Sequence, residues 1–139
     1  MKRFYIRFLF LGLLFIIIGQ NSFAQTYKLR ATSVAVKSQN ERTGYWSNWS
    51  NWEQCNILVV MNIDQDVVTI YSKETQEYDI IEILSNDQRD SDGGVTTTLL
   101  CVDADGTRCH MRLRAQSDGQ LQLYIDYKNL MFVYNVESR

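Results

Sequence analysis

From position 107 to 127 the chain alternates apolar and polar residues with a period of two. Between 107 and 116 the apolar set is Cys109, Met111, Leu113 and Ala115, and the polar set is Arg108, His110, Arg112 and Arg114. Between 121 and 127, Leu121, Leu123, Ile125 and Tyr127 stand against Gln122, Tyr124 and Asp126. A period of two is that of a strand with one buried face. A one-residue slip would turn every apolar side chain to water, so pairing has to set apolar opposite apolar. A three-residue loop at Ser117-Asp118-Gly119, with Gly119 at positive φ, achieves this. It places Leu113 opposite Leu123 and Met111 opposite Ile125, and on the outer face His110 opposite Asp126 and Arg112 opposite Tyr124. The loop Ala104-Asp105-Gly106 likewise sets Leu99 opposite Met111 and Cys101 opposite Cys109. A two-residue turn at Lys128-Asn129 sets Ile125 opposite Phe132 and Leu123 opposite Tyr134. Three successive hairpins thus agree on one inward face.

The same reading extends upstream. Strands are predicted near 27–37, 56–63, 67–72, 77–84, 95–103, 107–116, 121–127 and 130–136. Turn signals separate them, among them Asp64-Gln65-Asp66, Lys73-Glu74-Thr75 and a long acidic loop from Ser85 to Gly94. No segment keeps a 3.6-residue apolar period over three turns, so little helix is expected. Short connections between consecutive strands imply antiparallel hairpins. The fold class is therefore all-β, an antiparallel meander of about eight strands. Closure into a small barrel, full or partial, would remove the exposed edges. A two-sheet sandwich uses the same alternation.

Ahead of this domain, residues 1–24 have the pattern of a cleavable signal peptide. Lys2, Arg3 and Arg7 precede an eleven-residue run, Phe8 to Ile18, that is apolar but for Gly12. Ser22 and Ala24 then suit cleavage before Gln25. Eleven helical residues reach about 16 Å, short of the roughly 30 Å hydrocarbon core. The expectation is a secreted or periplasmic protein without stable membrane insertion after signal cleavage, its single domain spanning 25–139. The whole chain has 14 basic and 16 acidic residues, and 1–24 holds three basic and no acidic ones, so residues 25–139 carry a net charge of −5. Phosphate binding needs clustered Lys and Arg, so nucleic acid is not an expected partner.

All three tryptophans lie in Trp46-Ser47-Asn48-Trp49-Ser50-Asn51-Trp52, which leads through Glu53-Gln54 to Cys55. A spacing of three does not suit a strand; it suits an extended segment of polyproline type that lays every third side chain on one face. Such a row either closes an end of the core, or stacks on basic side chains such as Arg112 and Arg114, or forms an exposed platform for sugar rings or apolar ligands. In the last case Trp46, Trp49 and Trp52 would bind ligand, with Tyr45 and Glu53 as flanking polar contacts. The ten residues from Trp46 to Cys55 resemble the opening of a thrombospondin type 1 repeat. The likeness stops at Cys55, where Asn56-Ile57-Leu58-Val59-Val60 follows and the cysteines for three disulfides are lacking. Gly44-Tyr45-Trp46 resembles the lipocalin G-x-W signature, which implies a calycin-like barrel; the Arg that family sets beneath the Trp has no identifiable counterpart.

Three cysteines, Cys55, Cys101 and Cys109, follow the signal segment. Directly opposed residues lie about 4.5–5.5 Å apart, so a Cys101–Cys109 disulfide is expected, supported by export to an oxidising compartment. The alternative is a pair of buried thiols.

No metal site and no cofactor is expected. His110 is the sole histidine and points away from its neighbour Cys109 on a strand. Asp87, Asp90 and Asp92 ahead of Gly93-Gly94 lack the full calcium-loop pattern and read as solvated turn residues. No G-x-S-x-G, H-E-x-x-H, P-loop or dinucleotide fingerprint is present. His110 is expected to pair with Asp126. No catalytic residue is assigned, and the expected role is non-catalytic binding. One version is a small apolar or saccharide ligand at a barrel mouth rimmed by the tryptophans. The other is an inhibitor or envelope subunit that engages a protein partner through the acidic 85–94 loop or a strand edge.

Overall fold

A computed structural model describes residues 26–139; the signal-peptide expectation for 1–24 lies outside the described residues. Eight strands follow in chain order: β1 (Thr26–Ser38), β2 (Glu53–Asn62), β3 (Val67–Tyr71), β4 (Thr75–Arg89), β5 (Val95–Asp103), β6 (Arg108–Ala115), β7 (Leu121–Asp126) and β8 (Leu130–Ser138). Each pairs antiparallel with the next and β8 pairs with β1, so the meander closes into a barrel. Closure leaves no strand in the place of a sheet edge.

The lumen is filled by side chains. Leu29, Val59, Met61, Ile70, Leu99, Met111, Leu123 and Ile125 are each no more than 2% exposed, and all belong to one contiguous core. The inward set of the last four strands is the one the alternation predicts. Leu113 faces Leu123, Met111 faces Ile125, Leu99 faces Met111, Ile125 faces Phe132 and Leu123 faces Tyr134. The loops Ala104–Gly106 and Ser117–Gly119 are tight turns in which Gly106 (φ +84°) and Gly119 (φ +91°) take the left-handed conformation. In each, the glycine amide donates to the carbonyl three residues back, at 3.0 and 2.9 Å. This is the three-residue hairpin with a glycine bulge that an Asp-Gly pair favours.

Two expectations need correction. The first half of the acidic stretch 85–94 is strand: β4 runs to Arg89, and Ser91-Asp92-Gly93 turns, with Asp90 N bonded to Gly94 O at 3.0 Å. Three register shifts against β5 break the alternation along β4, which hides the strand from pattern reading. Ile81 and Leu84 are residues skipped at two of these shifts, and they stand 45% and 47% exposed. Such bulges sharpen the local twist, as a small barrel requires. At the third shift, Thr97, buried on β5, donates its hydroxyl to Asn86 Oδ1 (3.1 Å) and accepts from Asp87 N (3.3 Å).

The second correction concerns the disulfide. Cys101 and Cys109 stand opposite each other as predicted, yet both are thiols, as is Cys55. Asp103 N bonds Thr107 O at 2.9 Å, which makes their pair, and by alternation the Cys101–Cys109 pair, a hydrogen-bonded one. The Cβ atoms of such pairs lie toward the far end of the cross-strand range, about 5.5 Å, whereas a disulfide wants about 3.5–4.5 Å. Both side chains sit in the core instead, 0% and 3% exposed.

Candidate functional site

Register arranges the outward residues of β6, β7, β8 and β1 as a grid. One row is Arg114, Gln122, Asn135 and Ser33; the next is Arg112, Tyr124, Val133 and Ala35; the third is His110, Asp126, Met131 and Lys37. The first row is hydrogen-bonded from Gln122 to Ser33. Gln122 Nε2 donates to Asn135 Oδ1 (3.1 Å) and Asn135 Nδ2 donates to Ser33 Oγ (2.8 Å), while Tyr124 donates to Gln122 Oε1 (3.0 Å). Arg112 grips Asp126 through Nε (2.5 Å) and Nη2 (3.1 Å), and its guanidinium carbon lies 4.2 Å from the Tyr124 ring centroid. This corrects the expected His110–Asp126 ion pair. The backbone register is as predicted, but the longer Arg112 reaches diagonally and takes both carboxylate oxygens in a bidentate bond.

Ala35 and Val133 face outward and are nonetheless only 2% and 3% exposed. Beside them, the connection from Gln39 to Trp52 folds back along β1. Asn40 Oδ1 accepts from the amides of Arg42 (2.9 Å) and Thr43 (3.1 Å), and Gly44 at φ +78° completes the reversal. Trp46 then makes an isolated bridge to Gln39. From here the Trp-Ser-Asn repeat becomes a repeat of hydrogen bonds. Ser47 N donates to Ser38 O (2.8 Å) and Ser47 Oγ accepts from Ser38 N (3.1 Å). Ser50 N donates to Val36 O (2.8 Å) and Ser50 Oγ accepts from Val36 N (2.9 Å). Each hydroxyl also donates to the next carbonyl, Asn48 O at 2.9 Å and Asn51 O at 3.2 Å. The serine oxygen stands in for a ladder carbonyl, so three residues of the segment match two of β1. This gives the spacing of three its physical cause: it satisfies the edge of β1 beyond the first residue of β2 and returns Trp46 and Trp49 to one side.

That side is occupied by Lys37. Its Nζ lies 5.5 Å from the Trp46 ring centroid and 4.8 Å from that of Trp49. Trp49 also meets Tyr124 edge-on, at 6.3 Å and 62° between planes. A chain of contacts therefore runs from Trp46 through Lys37, Trp49, Tyr124 and Arg112 to Asp126. The indoles hold a basic side chain, but it is Lys37 rather than Arg112 or Arg114. Of the predicted ligand contacts, Trp46 is half-buried, while Trp49 (39%), Trp52 (47%), Tyr45 (78%) and Glu53 are exposed. Trp46 and Trp49 are brought together; Tyr45, Trp52 and Glu53 share no contact with them among those that define this site.

Trp46 borders an open groove of about 600 Å³ on the outer face. Its lining includes His110, Asp126 and Met131 of one outward row, Leu84 of β4, and the two cations Arg108 and Lys128. Sequence reasoning missed Lys37, Leu84, Arg108 and Lys128. No sequence signal separates these residues from ordinary surface positions; only barrel closure sets them beside Trp46.

The end of the barrel where the tryptophans were expected carries tyrosines instead. Tyr78 and Tyr127 line a second hollow of about 760 Å³ among the β3–β4, β5–β6 and β7–β8 turns. Tyr127 donates to Asp103 Oδ2 (2.8 Å), while Asp103 Oδ1 accepts from the amides of Asp105 (3.0 Å) and Thr107 (2.9 Å). Those bonds, the Thr107 amide first, hold the Asp103 carboxyl below its ordinary range. Burial, followed by the bond to Asp103, pushes Tyr127 up. Burial raises Tyr78 to about 12. Asp103 thus holds the neutral Tyr127 phenol, while Tyr78 donates to Gln76 Oε1 (2.6 Å), and both tyrosines help close this end of the barrel.

At the opposite end, Asp90 accepts from Gly94 N (2.7 Å) and Arg114 Nη2 (2.8 Å). A hydrogen bond from Asp92 and then the Arg114 guanidinium lower the Asp90 carboxyl to about 2. Gly94 leaves room for this pair: a Cβ there would meet Arg114 Nη2 at 2.8 Å and Asp90 Oδ2 at 2.9 Å, and the pair would have to shift. The Gly44-Tyr45-Trp46 likeness to lipocalins finds no structural counterpart, since Trp46 lies against Lys37 on the outer flank. No protein-family model matches the chain, and no curated protein or solved structure matches it.

Proposed function

We propose that this protein is a non-catalytic binding module, secreted or exported to the periplasm, that holds a small saccharide. The supporting observation is the outer groove bordered by Trp46 on a barrel whose lumen is already filled. A ligand therefore has to bind outside. An indole beside an open groove suits a sugar ring, which needs one apolar face to lie on and polar groups at its rim. An acyl chain needs an enclosed apolar tunnel, so the saccharide is favoured over the fatty acid. The export reading rests on the signal-like segment 1–24.

A glycan array, followed by titration of the tryptophan fluorescence, tests the reading. Binding with a fluorescence shift is expected, and Trp46→Ala should weaken it by at least roughly tenfold, about 1.4 kcal/mol. An array without a hit sinks the saccharide reading. The runner-up is docking of a protein partner on the bulged part of β4, where Ile81 and Leu84 expose apolar side chains.

A further inference from the structure

The charges around the groove oppose those of the domain. Residues 25–139 are net −5, since 11 basic and 16 acidic residues remain after the three basic residues of 1–24. Yet the groove's own carboxylate, Asp126, is neutralised by its bidentate bond to Arg112. Asp103, near the same turns, has its oxygens filled by Tyr127 and two amides. The cations are not so engaged. Arg108 and Lys128 line the groove, are exposed, and form no ion pair among the described residues. Lys37, the cross-strand neighbour of Met131 in the groove lining, is held by indole rings and likewise forms no ion pair there. Of the basic side chains on this face, Arg112 and Arg114 are paired with carboxylates.

Resting on the saccharide reading above, we infer that the ligand is an acidic saccharide, with its ring against Trp46 and its carboxylate or sulfate between Arg108 and Lys128. An anion placed there gains charge-assisted hydrogen bonds from two donors that no protein carboxylate competes for. His110, exposed in the same lining, adds a further polar contact. The acidic remainder of the surface repels the same ligand, so attraction is confined to this groove. An acidic protein that binds an acidic glycan needs such a local reversal of charge.

The test compares oligogalacturonate with the same oligosaccharide reduced at its carboxyls to neutral galactose units. Calorimetry on the protein purified from its native source measures both. The charged probe should bind roughly tenfold or more tightly than the neutral one, and high salt should erase most of that difference. Arg108→Ala and Lys128→Ala should remove the preference, bringing the affinity for the charged probe down to that for the neutral one; both side chains are exposed, so folding is not at stake. Trp46→Ala should weaken both probes alike. Equal affinity for the two probes overturns the charge inference and leaves the saccharide reading standing. Failure of both probes, with an array lacking any hit, overturns both. A preference that survives loss of Arg108 and Lys128 places the anion elsewhere and also overturns the inference.

Discussion

Cys101 and Cys109 show how one cross-strand position decides a side chain's chemistry. Had their pair fallen one residue along the ladder, their Cβ atoms would stand close enough for a disulfide. On the hydrogen-bonded site they behave as small core residues. Burial pushes the Cys109 thiol up to about 11 and raises Cys101 and Cys55 as well. The thiolate is the reactive form, so raised values protect all three from oxidants. Thiol titration in denaturant should find three free thiols, while native protein near pH 8 should react slowly or not at all. A count of one would restore the disulfide. Arg112 makes a related point. The register opposite Asp126 was readable from the alternation, but the identity of its ionic partner was not. A long side chain can reach diagonally, and pattern reasoning compares only direct neighbours.

The Trp-Ser-Asn segment is the element whose meaning changes most on folding. As a sequence it suggests a row of indoles, and the serines look like spacers. In the structure the serines carry the backbone bonds that hold the segment to β1, and the indoles clasp Lys37. Ser47→Ala and Ser50→Ala should each destabilise by about 1 kcal/mol, measured by urea denaturation. Amide exchange at Val36 and Ser38 should accelerate in the same variants, because each loses its acceptor. Unchanged exchange would mean that the hydroxyls do not hold this edge. The β4–β5 turn offers a second check on an element. Gly94→Ala drives a methyl into the Asp90–Arg114 pair and should loosen that hairpin.

For the whole molecule, stability resides in the filled lumen. Leu123, fully buried at the centre of β7, should cost about 2–5 kcal/mol when replaced by Ala. Acid should weaken the barrel at both ends. Asp90 at one end and Asp103 at the other are held below the ordinary carboxylate value of 3.8, Asp90 at about 2. The folded state thus binds protons less readily than the unfolded chain. The stabilisation is present above about pH 4 and is lost as pH falls toward 2. Asp103→Asn should flatten the dependence of the denaturation midpoint on pH over that window. A midpoint that falls as steeply in the variant would assign the acid sensitivity to other groups.

The antiparallel meander, its inward residues and the register of the last three hairpins were legible in the sequence because period two and turn chemistry are local, and each constrains the next. The spacing of three, also a local signal, implied one face for all three tryptophans; the structure brings Trp46 and Trp49 together at Lys37. The bulges of β4 were not legible, because a skipped residue erases the alternation that reveals a strand. Nor was the approach of Arg108 and Lys128 to Trp46, separated by some sixty to eighty positions in the chain. Local pattern determined the meander; only the pairing of β8 with β1 made it a barrel rather than a sandwich. Which outward residues meet across it was decided by closure and by the shift between Ala31 and Ser33 on β1, where the alternation breaks and the later outward set of that strand, Ser33, Ala35 and Lys37, is established. A bulge moves every later side chain of its strand to the other face, and no short-range signal in these residues announces it.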